Sequence, residues 1–232
     1  MGDEKKSIFV HLEELRRRVL FSIIAVLTLS ALSYIYAGKI LRYLAEYAKP
    51  LVFISPQEAF LSHLKISLFS GVILSSPIII YNVLSFVWIA LDKGEKRIFI
   101  TYLIAGIFLF IAGACFSYFI ALPTAMNFLL SFSSDLLKPF ISISRYISFS
   151  AFLILAFSVA FETPLFIILL TRLGLINSEL LRRKRKYLVV LLFVVAAILT
   201  PPDIITQVLL AIPLLVLYEI SIWLAKAVER KK

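Results

Sequence analysis

Val19–Ala37 is a run of 19 residues without one charged side chain, and it constrains the fold more than any other feature. A helix rising 1.5 Å per residue needs about 20 apolar residues to cross the hydrocarbon of a bilayer. In lipid every backbone polar group must be satisfied internally, which leaves a helix as the natural form for such a run. Similar stretches recur. Ile66–Ala90 lies between Lys65 and Asp92, and from Ile98 the chain carries no charge as far as Ser134. That third stretch is too long for one span; Pro123 and the polar cluster Asn127–Ser134 place its end near Leu122. Ile147–Leu170 holds only Glu162, and Tyr187–Ala225 is broken by Thr200-Pro201-Pro202-Asp203.

Six spans follow, at about 19–37, 66–90, 98–122, 147–170, 187–199 and 204–224, in one integral membrane domain covering 1–232. The fold class is all-α and polytopic, with short fifth and sixth helices. The fifth apolar segment covers only about 20 Å by helix rise, against a core of about 30 Å. Local thinning, burial against neighbours or a re-entrant hairpin would each accommodate it. The outer connections, 38–64 and 123–146, are long enough to be structured caps.

Composition agrees: 61% of residues are hydrophobic and 16% charged, too little polar surface to cover a soluble domain. The net charge of +10 comes from short basic blocks between apolar runs, the pattern of membrane flanks rather than of nucleic-acid binding. Eighteen Lys and Arg fall in the N-terminal tail, the second and fourth connections and the C-terminal tail; five fall in the other two connections. By the positive-inside rule both termini are cytoplasmic. The first apolar run is long and lacks a small-residue cleavage site, so it reads as a retained span. The single cysteine, Cys115, excludes an intrachain disulfide and reads as a small packing residue.

Glu162 is the strongest chemical signal. It lies about 13 Å inside its span by helix rise, where a carboxylate costs several kcal/mol unless protonated or partnered. It marks either a functional position or an acid satisfied by a neighbouring helix. Pro164 frees the carbonyl of Ala160 and predicts a kink. Asp203 suits an N-cap, and Gln207, four residues on, shares its face and suits interhelical hydrogen bonding or docking. Glu219, about 9 Å from its helix end, is a weaker candidate. Before the first span, Leu12, Leu15 and Val19 form an amphipathic stripe, with Glu13–Arg17 and Glu14–Arg18 as i, i+4 pairs in the favourable order. This segment reads either as a salt-bridged anchor or as an acidic site for a basic cytosolic ligand, with Glu95 as a second acid. No zinc motif, phosphate loop or nucleophile elbow is present, and His11 and His63 are the only histidines. The chain reads as a non-enzyme with no cofactor and no metal. A secondary transporter or ion channel using Glu162 is the competing class.

Several motifs together carry a resemblance. They are His11-Leu12-Glu13-Glu14-Leu15-Arg16, Pro56-Gln57-Glu58-Ala59-Phe60 with Lys65, Ser76-Pro77-Ile78-Ile79-Ile80-Tyr81 with Phe86, and Glu95-Lys96-Arg97. Phe161-Glu162-Thr163-Pro164 and Leu199-Thr200-Pro201-Pro202-Asp203 follow, with Gln207 and Ala211-Ile212-Pro213 behind them. In order and spacing the chain resembles the TatC family, the signal-peptide receptor and core component of the twin-arginine protein translocase. The resemblance implies six helices in a concave, cupped arrangement in the plasma (inner) membrane. It implies that Glu14 and Glu95 bind the paired arginines of a signal peptide, with Arg16 and Phe86 in the same region. Glu162 and Gln207, with Asp203, would belong to the concave face that meets TatA- and TatB-type single-span partners. Self-association in a larger complex, and export driven by the proton-motive force, are implied in the same way. The chain departs from the family in reading Phe86-Val87-Trp88-Ile89-Ala90-Leu91, where a proline is common.

Overall fold

The structure is a computed structural model, and it describes residues 2–48, 50–88, 96–133, 139–199 and 204–230. Nine helices and two very short strands are seen among the described residues. Helix α1 (Gly2–Tyr34) carries the amphipathic segment into the first apolar run without a break. A bend of 83° separates its Glu13–Tyr34 part from the segment Ala37–Ala48, which comprises α2 (Ala37–Leu44) and a 3-10 turn.

Helix α3 (Pro56–Trp88) runs antiparallel to α1. Asn82 Nδ2 donates to Ser22 Oγ at 2.9 Å near one end of the seam, and Ser30 Oγ meets the Leu68 carbonyl at 3.5 Å farther along. Gly71 makes the approach possible. A Cβ there would stand 2.0 Å from Ser30 Oγ and 2.6 Å from its backbone nitrogen, so the helices close on a missing side chain. Close approach through small residues is how helices associate where lipid is as apolar as the protein interior. Gly113 does the same between α4 and α6, where a Cβ would lie 2.6 Å from the Phe157 carbonyl oxygen.

Helix α4 (Lys96–Phe116) leads through a π-helical turn, Ser117–Ala121, into α5 (Leu122–Leu130). Helical structure therefore passes Leu122 and Pro123 instead of stopping there. Pro123 sits in the first turn of α5, and the wider π-turn before it supplies a register in which the missing N–H breaks no ladder. Helices α6 (Ile143–Phe161) and α7 (Thr163–Arg172) form one continuous path interrupted at Glu162, two residues before Pro164, where a kink is expected.

Helix α8 (Ser178–Leu199) begins well before the apolar run at Tyr187. Its start is set by caps: Asn177 Oδ1 accepts from Leu180 N at 2.7 Å, and the Glu229 carboxylate accepts from Ser178 N and Oγ, each at 2.5 Å. The helix is 22 residues long, or about 33 Å, although its apolar part is much shorter. Helix α9 (Ile204–Glu229) returns beside it and passes through Pro213. Glu95, Asp203 and the Thr200–Asp203 break lie outside the described residues.

Four stretches, Pro56–Phe86, Ile98–Leu130, Ile143–Arg172 and Leu210–Glu229, are long and apolar enough to cross a membrane. A fifth arises if the bent pair of α1 and the Ala37–Ala48 segment is one span. Helix α8 is not among them; the basic block Arg182–Lys186 fills its first half.

The N-terminal part of α1 and the C-terminal end of α9 share one end of the molecule, as a chain of contacts shows. Asn82 on α3 meets α1, the neighbouring Tyr81 ring stands edge-on to Phe99 on α4 at 5.8 Å, and the Arg172 guanidinium lies 5.4 Å from the centre of the Tyr102 ring. From α7, Ile167 packs with Tyr218, Ile222 and Ala225 of α9. The opposite end is the structured cap expected of the long connections. Strands β1 (Leu51–Val52) and β2 (Ile141–Ser142) pair in parallel there. Tyr146 donates to the Leu44 carbonyl, and Tyr118 to the Tyr43 carbonyl at 3.1 Å.

Buried serines are numerous; the hydroxyls of Ser33, Ser117 and Ser150 have no partner among the described residues, while others bond back along their own helix. Ser62, Ser67, Ser158 and Ser221 each donate to the carbonyl four residues back, at 2.6–2.8 Å. A small hydroxyl can thus enter an apolar helix pair without an orphaned donor.

Candidate functional sites

The first site lies where α1 and α3 diverge at the terminal end. An open cleft of about 610 Å³ is lined by Glu13, Glu14, Arg17, Arg18, Phe21, Tyr81 and Asn82. Helical spacing puts Glu14, Arg17, Arg18 and Phe21 on one flank of α1. Asn82 is buried and holds the floor through its bond to Ser22, whose hydroxyl donates in turn to the Arg18 carbonyl at 3.0 Å. The acids and bases are not symmetric. Arg18 donates to Glu14 Oε1 through Nη2 at 2.6 Å and Nε at 3.1 Å, whereas no Glu13–Arg17 pair is present among the described residues.

On the other flank of the same seam runs an apolar groove of about 520 Å³, lined by Leu15, Val19, Ile23, Val26, Val72, Ile79, Val83 and Phe86, among others. Arg18 and Asn82 border both cavities. Glu14 lines the first cavity and Phe86 the second, so the two are not brought together in one. Arg16 is exposed and lines neither cavity. The position of Glu95 relative to them is not described.

The second site is the break between α6 and α7. Glu162 is 5% exposed, its backbone N–H donates to the Val159 carbonyl at 3.1 Å, and its own carbonyl accepts from Phe166 at 3.1 Å. The side chain faces α4: a Cβ on Gly106 would lie 3.4 Å from Glu162 Oε2. Oε1 is buried and has no hydrogen-bond partner. The reading of an acid satisfied by a neighbouring helix therefore fails for that oxygen. A buried, unsatisfied carboxylate oxygen is a standing cost that a well-packed helix pair would otherwise shed.

Gln207 is not beside Glu162 in any recorded contact. Its Nε2 donates to the Phe193 carbonyl at 2.8 Å, tying α9 to α8, so the interhelical use of this amide is realised. Glu219 is likewise engaged, accepting from Arg185 Nε at 2.6 Å. Cys115 is exposed on α4 instead of packed inside, an outcome that an apolar run cannot foretell, since lipid and protein interior accept the same residues. No group of three or more metal-ligating side chains occurs among the described residues.

Two positions of consequence were given no role from sequence, although Lys65 stands in one of the motifs that carry the resemblance. Asn82 is an amide inside an apolar run, and that alone was a signal. Lys65 is the other; its partners are far away in sequence.

Helices of this length around a bent, glycine-sealed interior define a polytopic helical membrane protein. The family model of the Sec-independent protein translocase protein (TatC) matches residues 10–213. Similar proteins include the Sec-independent protein translocase protein TatC of Carboxydothermus hydrogenoformans, 39% identical over 237 residues that cover 100% of this chain and 98% of that one. The TatC of Aquifex aeolicus is 45% identical over 230 residues, 96% and 95% of the two chains. That of Escherichia coli K12 is 35% identical over 234 residues, 97% and 90%. A crystal structure of the twin arginine translocase receptor TatC superposes with a TM-score of 0.88 at 45% identity, covering 95% of this chain and 100% of that one. The chain belongs to the TatC family. It is a multi-pass membrane component of a Sec-independent protein translocase, not an enzyme, and this membership displaces the transporter reading.

Proposed function

We propose that this chain is the cytoplasm-facing receptor of its translocase, with Glu14 and Glu95 holding the paired arginines of a signal peptide. In this reading six helices cross the plasma membrane in a concave arrangement with both termini in the cytoplasm; the fifth and sixth, α8 and α9, are longer than the short helices expected, at 22 and 26 residues, and only the apolar part of α8 is short. The observation that carries it is Glu14 in an open cleft at the end of the molecule where both termini lie. A carboxylate suits a guanidinium because the planar fork donates two parallel, charge-assisted hydrogen bonds. An ammonium is a compact point charge and cannot reproduce that geometry. Phe86 is the apolar wall beyond Arg18, and Arg16, outside both cavities, contributes exposed positive charge two residues from Glu14. Glu162, with Gln207 and Asp203, serves the concave face that recruits TatA- and TatB-type single-span subunits. The unpartnered Glu162 oxygen supports a donor arriving from outside the chain.

The test is binding of a labelled twin-arginine signal peptide to the detergent-purified chain, against a twin-lysine peptide, with Glu14→Ala and Glu95→Ala alongside. A marked arginine preference, lost in both variants, is expected. Equal binding of the two peptides by the unaltered chain would remove the receptor reading.

A further inference from the structure

We infer that Arg18 is a resident competitor for Glu14, a built-in guanidinium that an incoming arginine must displace to gain both carboxylate oxygens. The inference rests on the reading of Glu14 as a signal-peptide acid. It adds a specificity-setting residue to that site.

The geometry is particular. Both contacts from Arg18, Nη2 at 2.6 Å and Nε at 3.1 Å, converge on the same oxygen, Oε1. This is the donor edge that an arginine of a peptide would present. Oε2 accepts no hydrogen bond within the chain among the described residues, so a ligand can approach it end-on while Arg18 stays. Two parallel bonds, one to each oxygen, require Arg18 to leave Oε1. The site at rest is thus half occupied by the chemistry it is built to recognise.

Two further features favour competition over simple neutralisation. The side chain of Arg18 is the less exposed member of the pair, 22% against 34% for Glu14, and it borders both the polar cleft and the apolar groove. Released from Glu14, it has a second place to lay its aliphatic stem, along Leu15 and Phe86, with its charged end still at the seam. Its backbone is fixed meanwhile, because the Arg18 carbonyl accepts from Ser22 and Ser22 accepts from Asn82. Displacement is then a rotamer change on a fixed turn and needs no movement of α1. Arg17 lines the same cleft without an ion pair to Glu13, which provides an internal comparison of equal charge.

A half-buried i, i+4 pair at the surface still carries little weight, so the competition costs a ligand about twofold in affinity. That is small enough for cargo to overcome and large enough to measure. The effect must separate from the loss of a positive charge in an acid-bearing cleft, and Arg18→Lys makes the separation, since it keeps the charge and loses the forked donor.

The experiment uses the full chain in detergent with a labelled twin-arginine peptide, comparing Arg18→Lys, Arg18→Gln, Arg17→Gln and Glu14→Ala, each checked for an unchanged melting temperature. Arg18→Lys and Arg18→Gln should both tighten binding by about twofold or more, with Arg17→Gln gaining less than Arg18→Gln. Wild-type affinity in Arg18→Lys, or weaker binding in both Arg18 variants, overturns the competitor role and makes Arg18 a support for Glu14. Unchanged binding in Glu14→Ala overturns the underlying site instead, and that outcome is recognisable whatever the Arg18 variants do.

Discussion

Lys65 Nζ on α3 lies 2.7 Å from Ser144 Oγ, and 2.8 Å from Ser148 Oγ, on α6, so an ammonium near the capped end of one helix is held by two hydroxyls of another. Glu58, two turns earlier on α3, grips the same strand-to-helix junction: its carboxylate accepts from Ser142 Oγ at 3.2 Å and from Ile54 N at 3.0 Å. The cap is therefore clipped to α3 at both ends of its first two turns.

Lys65→Met keeps the stem and removes the donor, leaving two hydroxyls without their charged partner. The detergent-solubilised chain should lose about 1–2 kcal/mol, toward the low end for charged hydrogen bonds because the site is only partly buried. Thermal unfolding measures this directly, and peptide binding at the opposite end should be unaffected. An unchanged melting temperature would mean the clip contributes nothing.

Gly71→Val places a branched side chain where Ser30 Oγ already stands 2.0 Å from a bare Cβ. No rotamer avoids the Ser30 backbone, so α1 must separate from α3 and the Asn82–Ser22 bond must break with it. A loss of about 3 kcal/mol or more is expected, at the severe end of overpacking. It would be read as a lower melting temperature or as aggregation on size-exclusion chromatography. A well-behaved Gly71→Val protein would contradict the close approach.

Glu162→Gln separates fold from function. The amide is cheaper to bury than a carboxylate with an unpaired oxygen, so the isolated chain should become more stable, by about 1 kcal/mol. Co-purification of single-span partner subunits should fall, while signal-peptide binding persists. Stabilisation without loss of partner capture would reduce Glu162 to a structural feature.

Gln207→Ala and Glu219→Gln form a calibrated pair in the α8–α9 hairpin. The first removes an interhelical hydrogen bond to the Phe193 carbonyl and should cost about 0.6–1 kcal/mol. The second removes an exposed ion pair with Arg185 and should change stability by less than about 0.5 kcal/mol. Parallel melting curves decide between this order and its reverse.

Much of the helical framework was legible because an uncharged run of about 20 residues has few alternatives to a membrane helix. The interruption at Glu162 was legible too, since Pro164 acts locally. What hydrophobicity could not show was where helices continue beyond it. Pro56–Lys65 and Ser178–Lys186 are polar enough to read as connections, yet capping and long-range hydrogen bonds extend α3 and α8 through them. The Lys65–Ser144 contact spans 79 residues, and no periodicity encodes it. At the first site, Glu13–Arg17 and Glu14–Arg18 were equally apparent as i, i+4 pairs. Only the second forms, on the flank of α1 that carries Arg18 to the Asn82 seam. Glu162 could be recognised as costly from its position alone, whereas its missing partner is visible only once α4 and its Gly106 are in place.

The parallel pairing of β1 with β2 joins Leu51 to Ile141, and this sets an order of assembly on the ribosome. The segment after α2 has no strand to pair with until about 90 further residues have been made. At about 5–20 residues per second, it waits for several seconds with its main-chain groups facing water. During that interval α3, α4 and α5 are also made, and the seam sealed by Gly71 is available to hold α1 against α3. The cap gains its partner strand before α6 to α9 are made, so the later helices join an end of the molecule that is already tied.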